Sequence, residues 1–195
     1  MNVTLTLNGR ERTLEVPPHL TLLQVLRDTL GVFDAKEGCD EGVCGACTVL
    51  MDGRPVSSCL VLVPMARARR VVTLRGIEQN GPGLHPLQEA FLAHGAVQCG
   101  FCTPGMVLTA LAFVERHPHA DREAVRHAIE GNLCRCTGYT KIVDAIVAYA
   151  ALRGAAEGEP SQKNPAVRGE AEGEPSLKNP KMNSSRTAGP ASSDA

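Results

Sequence analysis

Two groups of four cysteines hold the residues with the clearest chemical potential in this chain. They are Cys39, Cys44, Cys47 and Cys59, then Cys99, Cys102, Cys134 and Cys136, and they account for all 8 cysteines present. The first group is spaced C-x4-C-x2-C with a more distant fourth member, the spacing of a plant-type [2Fe–2S] loop. The second reads C-x2-C, a gap of 31 residues, then C-x-C. Each group can supply the four thiolates that one such cluster needs. Two one-electron centres on a small chain make a relay rather than a catalytic pocket.

Other uses of eight cysteines are weighed against this. Disulfides require an oxidising compartment. The chain opens Met1-Asn2-Val3-Thr4-Leu5, with neither a basic segment nor an apolar stretch of the secretory kind, so a cytoplasmic location is expected. Structural zinc would suit Cys44-x2-Cys47 and Cys99-x2-Cys102 as half-sites. Against zinc stand the x4 gap, the one-residue gap in Cys134-Arg135-Cys136, and Gly38, Gly42 and Gly45 around the first loop. Those glycines allow backbone conformations that turn N–H groups inward, toward an anionic cluster.

Composition narrows the functional classes. The 195 residues carry a formal net charge of −1, which gives no electrostatic case for nucleic acid or an anionic membrane surface. No run approaches a membrane span. With 4 Phe, 2 Tyr and no Trp, the core must be aliphatic, and bound clusters are expected to add folding energy. Beyond Arg153 the only large aliphatics are Val167, Leu177 and Met182, too few to offset the entropy of ordering the segment. That tail also repeats, from Ala156 to Pro165 and again from Ala171 to Pro180. Residues 153–195 are expected to be a disordered appendage.

The elements that must position the cysteines follow from periodicity. Val3, Leu5 and Leu7 alternate with threonines as a half-buried strand, Asn8-Gly9 is a hairpin turn, and Thr13–Val16 returns. Thr21 caps a helix to Leu30, with Leu22, Val25, Leu26 and Leu30 on one face and Gly31 as its stop. After the cysteine loop, Thr48–Met51, Asp52-Gly53 and Arg54–Ser57 form a second hairpin, and Val71–Leu74 adds a strand. This is the β-grasp order. From about residue 83 the period becomes helical. Leu84 to His94, Thr103 to the residue before Pro118, the Asp121-capped segment through Ile129, and the Ile142–Ala150 stretch read as four short helices. The fold class is therefore α+β: a ferredoxin-like β-grasp domain over 1–76, then a four-helix-bundle [2Fe–2S]-binding domain over 83–152. Cys99 and Cys102 precede the second helix, and Cys134 and Cys136 the fourth. Helix N-termini favour an anionic cluster and ionised thiols.

The segments Gly38-Cys39-Asp40-Glu41-Gly42-Val43-Cys44-Gly45-Ala46-Cys47-Thr48-Val49, Gln98-Cys99-Gly100-Phe101-Cys102-Thr103-Pro104-Gly105 and Asn132-Leu133-Cys134-Arg135-Cys136-Thr137-Gly138-Tyr139 carry a resemblance. They resemble the cluster motifs of molybdenum hydroxylases of the xanthine dehydrogenase family. The likeness covers roughly residues 1–152 and has the extent of a separate small iron–sulfur subunit.

The resemblance implies two [2Fe–2S] clusters held by the eight cysteines, with electrons relayed from a molybdenum–pterin site on a large partner subunit to FAD on a medium one. It implies that the helical-domain cluster lies nearer the pterin. Gln98 matches a position that hydrogen-bonds the pterin, and Cys136 one whose ligand approaches it; a surface amide is the plain reading of Gln98. Gly31-Val32-Phe33-Asp34-Ala35 departs from the Leu-Thr-Gly common in relatives. The leads Lys36-Glu37-Gly38-Cys39 and Cys59-Leu60-Val61 look more like purine-hydroxylase small subunits than carbon monoxide dehydrogenase ones. The six histidines show no site-like grouping. A free-standing two-cluster carrier or redox sensor is the alternative, and the helical second domain argues against it.

Overall fold

In the computed structural model of the chain, residues 1–78 and 83–156 are described. The first strand, β1 (Asn2–Leu7), pairs antiparallel with β2 (Arg10–Glu15), Leu5 standing opposite Arg12. The turn between them places Asn8 at φ 49° and Gly9 at φ 77°, the pair of left-handed residues that lets a two-residue hairpin follow the strand twist. A second hairpin, β3 (Thr48–Met51) with β4 (Arg54–Ser57), uses Asp52 at 50° and Gly53 at 77° in the same way. The short β5 (Arg70–Val72) lies between the hairpins, parallel to β1 and antiparallel to β3, giving the order β2-β1-β5-β3-β4.

Between the hairpins the chain forms α1 (Leu22–Gln24), opened by a capping box at Thr21 and Gln24. It widens into a π-helical turn over Val25–Thr29, with Leu30 N donating to Val25 O at 3.1 Å. Leu22, Leu23, Val25 and Leu26 are buried on one face, Leu23 lying three residues from Leu26. The expected strand Val71–Leu74 ends early, at Val72. The reason is a contact from the first hairpin turn: Asn8 Oδ1 takes the Thr73 N–H at 2.9 Å, and Asn8 Nδ2 donates to Thr73 Oγ1 at 3.0 Å. Leu74 then begins a four-residue helix, α2 (Leu74–Ile77).

Four further helices follow: α3 (Pro86–Ala93), α4 (Thr103–Val114), α5 (Arg122–Ile129) and α6 (Thr140–Ala156). Leu84 is left exposed ahead of α3, because His85 caps that helix and Pro86 is its first residue. α4 buries residues all round, Met106, Val107, Leu108, Ala110, Leu111 and Val114 among them, and packs against α3, α5, α6 and the strand β3. A helix apolar on every side belongs in the middle. α6 runs three residues past the expected end at Arg153. Arg153 Nη2 meets Glu115 Oε1 at 3.2 Å, and a Cβ on Gly154 would stand 2.6 Å from His119 Nδ1, so the last turn is packed rather than frayed. The repeat that begins at Ala156 otherwise lies outside the described residues.

The sheet serves two cores. Val49 and Val71 pack with Val3, Leu5, Leu22 and Leu26 on one face, whereas their neighbours Leu50 and Val72 join the helical core on the other. Alternation along a strand sends successive side chains to opposite faces, so β3 and β5 bind the two halves together. Burying each such aliphatic contributes about 1.5–3 kcal/mol. No described helix is long and apolar enough to cross a membrane.

Candidate metal centres

The first cysteine loop lies between the π-helical turn and β3. Its backbone is wound by Asp40 at φ 55°, Gly42 at 74° and Gly45 at 68°. Gly38 does not take a left-handed φ; it is needed for space, since a Cβ there would stand 2.9 Å from Cys44 Sγ. The winding turns N–H groups inward. Glu41 N and Cys44 N donate to Cys39 Sγ at 3.4 and 3.3 Å. Cys59 sits two residues beyond β4, where buried Ser58 donates to Cys47 O at 2.7 Å and ties the fourth cysteine to the third. Cys47 and Cys59 have their sulfurs 3.4 Å apart, while Cys44 hydrogen-bonds Cys39.

The second group is built from two helix approaches. Cys102 is the N-cap of α4. Cys136 stops short of α6, because Gly138 at φ 66° and Tyr139 at φ 68° fold the chain back before Thr140. Tyr139 Oη then accepts from Cys134 N at 2.8 Å, and Thr137 holds Cys134 Sγ through its hydroxyl at 3.1 Å and its N–H at 3.5 Å. Cys102 pairs with Cys134, and Cys99 with Cys136, through side-chain hydrogen bonds. Cys99 and Cys136 are exposed, as is Gln98 beside them.

All eight cysteines are free thiols, and in both groups they meet two and two. Among the described residues no group of three or more His, Cys, Asp or Glu side chains could hold a single metal ion. Paired thiols suit a two-iron cluster, in which each iron takes two thiolates, and the inward N–H groups suit its negative charge. The thiols ionise unequally. Hydrogen bonds from Glu41 N and Cys44 N bring Cys39 down to about 7, whereas burial pushes Cys59 and Cys102 up to about 12. Burial also raises Cys44. At Cys134 burial acts upward but is outweighed by the hydrogen bonds of Thr137 and Cys136 N, and its pKa falls. Loading a metal must therefore expel protons from the buried members.

Sequence reasoning found the eight cysteines and missed the residues that hold them. Thr137, Tyr139, Ser58 and Asn132 act through contacts that spacing does not reveal. Asn132 is buried and donates to Gly45 O at 2.9 Å, joining the two groups across 87 residues. The histidines lie outside both groups; His85 instead caps α3, its Nδ1 accepting from Leu87 N at 3.2 Å.

A mixed sheet carrying one cysteine quartet and a helical unit carrying another define a two-part iron–sulfur protein. Residues 5–70 match the family described as the 2Fe-2S iron-sulfur cluster binding domain, and residues 73–147 match the [2Fe-2S] binding domain. The nicotinate dehydrogenase small FeS subunit of Eubacterium barkeri is 47% identical over 156 residues, spanning 80% of this chain and 98% of that protein. The xanthine dehydrogenase iron-sulfur-binding subunit of Escherichia coli O157:H7 is 41% identical over 149 residues, 75% of this chain and 92% of the relative. The solved quinoline 2-oxidoreductase of Pseudomonas putida 86 has a chain that superposes with a TM-score of 0.77 at 43% identity, covering 83% of this chain and 98% of that one. The chain belongs to the small [2Fe–2S] subunits of the molybdenum hydroxylases, and so is part of an oxidoreductase.

Proposed function

We propose that this chain is the electron relay of its complex, taking electrons from a molybdenum–pterin site on a large partner subunit and passing them to FAD or another acceptor. Cys39, Cys44, Cys47 and Cys59 hold one cluster in the β-grasp part (residues 1–76). Cys99, Cys102, Cys134 and Cys136 hold the other in a four-helix bundle (residues 83–152). When bound, each cluster supplies one-electron chemistry at a position fixed by its loop. The observation that carries this reading is the two-and-two pairing of the thiols with backbone N–H groups aimed at them.

The exposed corner of Gln98, Cys99 and Cys136 is the face offered to the pterin, with Gln98 supplying an amide that hydrogen-bonds it. A medium FAD subunit takes the side of the first loop. A cytoplasmic location fits cysteines used as metal ligands rather than in disulfides. The names of the relatives, for nicotinate, xanthine and quinoline, support an N-heteroaromatic substrate for the whole complex, with an aldehyde as the other class.

The test is purification of the native complex through this chain. A large subunit with stoichiometric molybdenum should accompany it. A chain that transfers electrons at full rate alone, with no molybdenum in any complex, would contradict the reading.

A further inference from the structure

The two cysteine groups meet at a single seam, and one backbone carbonyl is its hub. Gly45 O, between Cys44 and Cys47, accepts from Thr48 N at 3.2 Å, from Thr48 Oγ1 at 2.7 Å and from Asn132 Nδ2 at 2.9 Å. Two of these donors belong to its own loop. The third comes from the segment just before Cys134. Leu133 N, next along, donates to Cys44 O at 2.8 Å, so Cys44 and Cys134 are joined through one hydrogen bond with only Leu133 between. The backbones touch: a Cβ on Gly45 would stand 2.4 Å from Gly131 O, and one on Gly105 would stand 2.2 Å from Gly45 O. Asn132 is 3% exposed, and its Nδ2 also lies 3.4 Å from Thr48 Oγ1.

We propose that Asn132 is a positioning residue for electron transfer between the two cysteine quartets, its amide clamping the 131–133 segment onto the first loop and so setting the separation of the two redox centres. The inference rests on the reading that each quartet holds a [2Fe–2S] cluster. A side-chain amide suits the place because the hub is an acceptor. A carboxylate there would set oxygen against oxygen, and a methyl would leave the seam without its one side-chain bond across to Gly45 O. The neighbouring Leu133–Cys44 bond then depends on backbone proximity alone.

The test uses the full chain with its clusters loaded, as parent, Asn132→Ala and Asn132→Asp. Iron content and the separate paramagnetic signal of each reduced cluster are read first. The magnetic interaction between the two reduced clusters and hydrogen exchange over 131–133 are read next. Both variants should keep both signals, exchange this segment about tenfold faster, the factor of one lost buried hydrogen bond, and show a smaller magnetic splitting as the centres draw apart. Unchanged splitting and exchange in loaded variants would overturn the assignment. Loss of both clusters in both variants would overturn it too, since the amide would then be holding the fold and not the spacing. A parent chain that lacks the clusters is a different failure, that of the functional reading, and it is seen before any substitution is made.

Discussion

Thiols this close together repel one another once ionised, so what stabilises each quartet is the set of donors around it. Cys39 is served by two backbone N–H groups and Cys134 by Thr137 and Tyr139 nearby. Cys44→Ala should abolish the paramagnetic signal of one reduced cluster and Cys102→Ala that of the other, each largely sparing its neighbour, because the two ligand sets do not interleave. Erasure of both signals in either folded variant would contradict two separate sites. Gly45→Ala should be harsher than an ordinary surface change. It combines a left-handed φ with a collision at Gly131 O, a cost of about 3 kcal/mol or more, readable as a lower denaturation midpoint. At this scale the two cysteine groups could be picked out because residue type and spacing are both visible in the sequence. Asp40, Thr137 and Asn132 were not, since each acts through a φ angle or a contact that exists only after the loops meet. Gly38 was legible for the wrong reason, needing space and not a left-handed turn.

Elements report the same division. The hairpin turns Asn8-Gly9 and Asp52-Gly53 can be read directly from residue type, whereas the end of β5 at Val72 depends on Asn8, which lies across the sheet. At α3 the cap is a titratable ring. Burial, aided by Arg153, holds His85 at about 4 against an ordinary 6.5. The folded chain thus binds fewer protons than the unfolded chain between these values, so the His85 contribution is fully present above pH 6.5 and is lost as pH falls toward 4. Protonation of Nδ1 also removes the acceptor for Leu87 N. For a partly exposed ring the loss should be about 1–2 kcal/mol. His85→Asn keeps a capping oxygen without the titration and should flatten the fall of denaturation midpoint between pH 6.5 and 4. An equal slope in both proteins would remove His85 from the account. Leu50→Ala tests the shared strand. It should cost about 2–5 kcal/mol, and it should loosen the helical half as well as the sheet, which exchange protection in α4 would register.

At the scale of the whole molecule, the two halves are one mechanical unit near the cysteines. β3 contributes Val49 to one core and Leu50 to the other, and Asn132 ties the helical side to the first loop. The β-grasp order and the sequence of helices were legible from the change of hydrophobic period. The central place of α4 was not, because a helix apolar on all sides gives periodicity no face to report. Past α6 the chain offers no aromatic residue and three large aliphatics, so a chain ending at Ala156 should keep both clusters and its partners; loss of assembly would assign the tail a docking role. The central claim is that this chain carries two binuclear clusters, and the most direct measurement is iron, acid-labile sulfide and zinc in the purified protein. About four iron and four sulfide per chain, in a red-brown protein giving two distinct paramagnetic signals on reduction, is the predicted result. A colourless protein with stoichiometric zinc, or one with only two irons and a single signal, would contradict it.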